Sequence, residues 1–87
     1  MSTLIVNHKV KDYSVWKPLF DADKARRESV GLTLLAVGVS ADDPNMVYAV
    51  FDSSNPSAVE EMLGDPEMAK IMEEAGVISE PNFVWLN

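Results

Sequence analysis

The chain has 87 residues, 47% of them hydrophobic and 24% charged, with a formal net charge of −7 and no cysteine. These values describe one small folded domain spanning residues 1–87. They leave no means for a disulfide framework, a thiolate nucleophile or a cysteine metal site, and the acidic balance argues against nucleic acid or an anionic membrane as partner. The start, MSTLIVNHKVKD, lacks the basic opening and long apolar core of a signal peptide. No apolar run approaches the ~20 residues of a membrane span, so a cytoplasmic protein without membrane contact is expected.

Leu4 to Val10 reads as the first strand, apolar at Leu4, Ile5 and Val6 and polar at its far end. Asp12 suits an N-cap, which starts a helix at Tyr13. Tyr13, Trp16 and Phe20 fall on one stripe of that helix, with Asp23 and Arg27 at its margins. Pro18 removes a backbone donor early in the helix, which predicts an N-terminal kink or a late start. Gly31 marks the stop.

Leu32 to Ser40 is the second strand, Ala41 to Pro44 a turn, and Asn45 to Asp52 the third strand. The third strand sends Met46, Tyr48 and Val50 to one side and Val47, Ala49 and Phe51 to the other. Neither side is polar, so both faces expect cover. The two strands should pair as an antiparallel hairpin whose loop exceeds the two-residue type.

Asn55 or Ser57 can cap the next helix. Pro56 fits a first turn, and Ser57 with Glu60 fits a capping box. Val59, Met62 and Leu63 give it an apolar side. Gly64, Asp65 and Pro66 then stop it, cap a second piece and begin that piece. Met68, Ile71, Met72 and Ala75 point inward on the second piece, which ends at Gly76. Asn82 to Leu86 is the last strand.

The order strand, helix, strand, strand, helix, strand predicts an α+β, ferredoxin-like βαββαβ fold. Its four-stranded antiparallel sheet carries both helices on one face. The other face then lies bare with a share of large apolar side chains, which is abnormal on a monomer. Stacking two such faces gives a homodimer, a dimeric α/β barrel through sheet-to-sheet packing.

The runs HKVKDYSVWKPLFDADKARRESVGL, DDPN and DPEMAKIMEEAGV resemble the dimeric α/β-barrel superfamily. That group includes antibiotic biosynthesis monooxygenase-like and stress-responsive barrel proteins. A nearer resemblance is to short bacterial members that carry a cyclase label. The resemblance implies a homodimer and a hydrophobic ligand cavity between sheet and helices. It also implies a range of chemistries: cofactor-free oxygenases, isomerases, haem-degrading enzymes and proteins without catalysis. The haem-degrading branch uses an Asn, a Trp and a His. Asn7, Trp16 and His8 stand here in a different order and spacing, so haem is not carried over and no cofactor is expected.

His8 is the sole histidine and the one side chain whose ordinary pKa lies near neutrality. At a cavity mouth it would serve as a general base or acid; the bland alternative is a strand-end histidine bonding its neighbours. Tyr48 could orient a ligand oxygen or simply bond backbone or water. Tyr13, Trp16, Phe20 and Trp85 read as core packing or as a wall for a flat ligand. Asp23 and Arg27 read as a surface pair or as an ion pair at the cavity rim. Asp42 and Asp43 fit a turn better than a cation site, because calcium needs ligands from spaced positions. Met62, Met68 and Met72 suit an adaptable core or a tolerant apolar pocket.

Two function classes stay open. The first is a cofactor-independent cyclase, isomerase or monooxygenase acting on a small aromatic or polyketide-like molecule, with His8 as general base and Tyr48 orienting a ligand oxygen. The second is a non-catalytic small-molecule-binding or interaction module.

Overall fold

The computed structural model describes residues 2–87. In chain order the elements are β1 (Ser2–Lys9), α1 (Tyr13–Ala22), α2 (Lys24–Ser29), β2 (Leu32–Ser40), β3 (Asp43–Ser53), α3 (Pro56–Leu63), α4 (Pro66–Glu74) and β4 (Asn82–Leu86). The strands form one sheet in the order β2-β3-β1-β4. β1 runs antiparallel to both β3 and β4, and β2 runs antiparallel to β3. This is the α+β, ferredoxin-like arrangement that the element order predicts.

Local chemistry explains most boundaries. The Asp12 carboxylate accepts hydrogen bonds from the backbone N–H and the hydroxyl of Ser14, at 2.9 and 2.7 Å, and so caps α1. Asn55 caps α3 by accepting from the Ala58 N–H, and Asp65 caps α4 by accepting from the Glu67 N–H. A proline follows each of these two caps at the first helical position, where its missing donor costs nothing. Gly31 ends α2 at φ +77°, a conformation that glycine adopts freely.

Three expectations need adjustment. The first helix breaks at Asp23 into α1 and α2: there the Asp23 N–H bonds the Phe20 carbonyl at 3.2 Å, a tighter three-residue turn, and the Asp23 carboxylate pairs with Arg26. α1 starts at Tyr13 despite Pro18: the carbonyl that loses its donor belongs to exposed Ser14, within reach of water. The hairpin connection is only Ala41 and Asp42, with Ser40 opposite Asp43. Pro44 can join β3 because it has no partner in either flanking ladder.

The alternation of β3 decides which face is inside. Val47, Ala49, Phe51 and Ser53 are buried, while Tyr48 is exposed. One core cluster joins Leu4, Leu32, Ala49 and Phe51 of the sheet to Val59 of α3. A second joins Val10 and Val47 to Trp16 of α1. α4 buries no side chain completely, although Met68, Ile71 and Met72 line its inner side. On the sheet face away from the helices, Ala36, Val50, Ile5 and Val84 stand in register across all four strands. Leu35, Tyr48, Val84 and Leu86 are exposed.

Candidate functional site

The gap under α4 is a cavity of about 370 Å³ between the sheet and the helices. Leu4, Val6, Ala49 and Phe51 form its floor; Trp16, Leu19 and Phe20 of α1 form one wall. Met62 and Leu63 of α3, with Met68, Ile71 and Met72 of α4, roof it. Exposed Leu19 and Glu74 place the mouth between α1 and the end of α4. The volume falls in the range of small-molecule sites, which are mostly apolar with a few polar groups. Here the charged or titratable lining groups are His8, Asp23, Arg27 and Glu74.

His8 reaches the cavity because β1 alternates: Leu4, Val6 and His8 share the inner face. Its ring is 8% exposed, and its Nδ1 is buried without a hydrogen-bond partner. Burial pushes the imidazole below its ordinary pKa of 6.5, against a weaker upward pull from backbone hydrogen bonds. That shift favours the neutral ring, the form able to accept a proton.

A continuous stack runs from His8 along the wall. The His8 ring meets Trp16 edge-on at 5.4 Å between centroids. Trp16 stacks on Phe20 at 4.7 Å, and the Arg27 guanidinium lies over Phe20 at 3.8 Å from the ring centroid. Arg27 is 7% exposed. Its Nη1 donates to the Phe20 carbonyl at 2.7 Å. Desolvation lowers its pKa, although nearby Asp23 opposes that effect.

Several expected site residues come together and others do not. His8, Trp16, Phe20, Asp23 and Arg27 all line the cavity. Asp23 does not pair with Arg27; it binds Arg26 at 3.2 Å, one residue closer on α2. Tyr48 lies on the opposite sheet face, paired with Asn7 and Gly38. The registry that points Val47 inward opposite His8 sends the next residue outward, so Tyr48 cannot stand beside His8. Tyr13 backs Trp16 at 5.7 Å without lining the cavity, and Trp85 packs against the core cluster on the β4 side. Among residues that sequence reasoning left out, Val6 and Leu4 were within reach: counting back in twos from His8 finds both. Leu19 carried no such signal, since it sits off the aromatic stripe.

No group of three or more His, Asp or Glu among the described residues is arranged to hold a metal ion. No helix among them is long and apolar enough to cross a membrane.

Comparison with known proteins places the fold. A protein of Caulobacter crescentus provisionally assigned as an antibiotic biosynthesis monooxygenase superposes with TM-score 0.71 at 11% identity, over 98% of this chain and 86% of that one. A protein of Deinococcus radiodurans with the same provisional assignment gives TM-score 0.66 at 14% identity, over 100% and 91% of the two chains. An uncharacterised NIPSNAP domain protein of Burkholderia xenovorans gives TM-score 0.67 at 12% identity, over 100% and 93%. At such identities the likeness is one of fold, and it agrees with the resemblance to monooxygenase-like barrels noted in the sequence. No curated protein matches the sequence significantly. A family profile matches residues 1–84, and the chain belongs to that family, described as a domain of unknown function, DUF3764.

Proposed function

We propose that this chain binds a small aromatic or polyketide-like molecule in the cavity under α4 and catalyses a cofactor-independent proton transfer on it, as a cyclase or isomerase. The observation that carries this reading is the buried imidazole of His8, its Nδ1 without a partner, on the wall of a mostly apolar cavity. A carbonyl compound held there presents an acidic C–H to the ring. His8 removes that proton, the electron pair of the C–H bond becomes an enolate, and the imidazolium returns the proton at a different atom. Exclusion of water by the apolar roof strengthens the interaction between enolate and imidazolium. The working unit is a homodimer in which two copies stack the apolar row of Ala36, Val50, Ile5 and Val84. The fold shared with monooxygenase-like proteins supports the architecture and leaves the reaction to the site itself.

The test uses 2-tetralone, a flat ketone with exchangeable C–H bonds, in deuterated buffer. The protein should accelerate deuterium incorporation beside the carbonyl, and His8→Phe should abolish the acceleration while still binding the ketone. A second reading is a non-catalytic binding module. It is favoured by the position of Tyr48 on the far face, which leaves the cavity without the hydroxyl expected to orient a ligand oxygen. Binding without any exchange would select that reading.

A further inference from the structure

Arg27 is a buried charge that this fold balances only from a distance, through Asp23, Asp21 and Glu28. It is 7% exposed and forms no ion pair among the described residues. The neighbouring carboxylate, Asp23, is taken by Arg26. Its hydrogen bond to the Phe20 carbonyl and its stacking on the Phe20 ring use one donor and one face of the guanidinium. Neither cancels the charge, and a guanidinium has further N–H donors in a planar fork. Buried charges in proteins are normally paired, because an isolated one is expensive to desolvate. This one lines the cavity.

We propose that Arg27 anchors a carboxylate, so that the occupant of the cavity is a flat apolar acid. The inference rests on the reading of the cavity as a ligand site and adds the chemical class of its ligand. The ring system lies along Trp16 and Phe20. Its carboxylate meets the guanidinium fork side by side, the geometry that favours arginine over lysine for this task. The His8–Trp16–Phe20–Arg27 stack fixes polarity: acid at the Arg27 end, reacting carbon toward His8 at the other. Two other carboxylates line the cavity. Asp23 pairs with Arg26 and acts on Arg27 without touching it, and Glu74 is exposed at the mouth, so the remaining donors of the guanidinium stay open to a carboxylate.

A purely structural role for Arg27, holding the Phe20 carbonyl near the end of α1, would affect folding and leave ligand choice unchanged. Calorimetric titration with 1-naphthoate and with its uncharged counterpart 1-naphthamide separates the two roles. The protein should bind the acid about tenfold or more tighter than the amide, as a charge-assisted fork contact implies. Arg27→Lys should keep part of that preference and Arg27→Met should erase it, the acid losing far more affinity than the amide in both. Equal binding of acid and amide, or a preference that survives Arg27→Met, overturns the anchor while the cavity remains a ligand site. Binding of neither compound by the folded protein overturns the cavity reading and the anchor with it. Should Arg27→Met fail to fold, the acid–amide ratio of the unmodified protein and its reduction in Arg27→Lys decide the matter.

Discussion

Protonating His8 should weaken the fold, and the size of the effect has a ceiling. The ring is 8% exposed, its Nδ1 has no partner, and burial lowers its pKa from 6.5. The unfolded chain therefore binds a proton more readily than the folded one. Stability is fully present above the unfolded value and falls as pH drops through 6.5 toward the lower folded value. One proton changes stability by at most about 1.4 kcal/mol per pH unit, and the slope fades above 6.5, so the loss between pH 7.5 and about pH 5.5 is bounded near one unit's worth. Urea unfolding at the two pH values, at one fixed protein concentration, measures it. His8→Phe keeps a ring against Trp16 and removes the titrating group. Every carboxylate titrates alike in the two proteins, so the difference between them isolates His8. The expected result is a loss at the lower pH that is larger in the unmodified protein than in His8→Phe. Identical pH dependence in both would mean that the imidazole is not held neutral in the cavity wall.

Three further substitutions test packing, turn geometry and assembly. Leu4→Ala removes a fully buried side chain from the floor of the cavity and from the main core cluster, and should cost about 2–5 kcal/mol in urea unfolding. Gly31→Ala should cost about 1–3 kcal/mol, because φ is +77° there and the new Cβ would meet the Ser54 hydroxyl; thermal unfolding would show it. Ile5→Lys puts a charge in the middle of the apolar row on the open sheet face. Sedimentation should then find a monomer where the unmodified protein sediments as a dimer, and a variant that remains dimeric would move the interface elsewhere.

The sequence made the fold legible because its local signals agree. Asp12, Asn55 and Asp65 cap helices where their chemistry suggests, and the alternation of Met46 to Phe51 separates the two sheet faces correctly. The break at Asp23 was hidden because Asp23 suits a helix surface equally well; only the backbone turn from its N–H to the Phe20 carbonyl marks the end of α1. The site was legible in part. The aromatic stripe and His8 do converge, since a helix stripe facing a sheet must meet its inner residues. Tyr48 was misplaced because pairing across β1 and β3 depends on register, and no residue in the sequence fixes that register. Arg27 read as a rim charge, because spacing alone does not show that Phe20 lies beneath the guanidinium or that Asp23 looks the other way.

The cavity as a ligand site is the central claim, and the methionines report on it directly. Met62, Met68 and Met72 line it, whereas Met46 lies on the opposite sheet face, one residue from inward-facing Val47. Methyl-labelled methionine spectra recorded during addition of 2-tetralone should show shifts at Met62, Met68 and Met72 and none at Met46. Unmoved cavity methyls, or a Met46 signal that moves with them, would contradict the assignment of the space under α4 as the place where this protein binds its ligand.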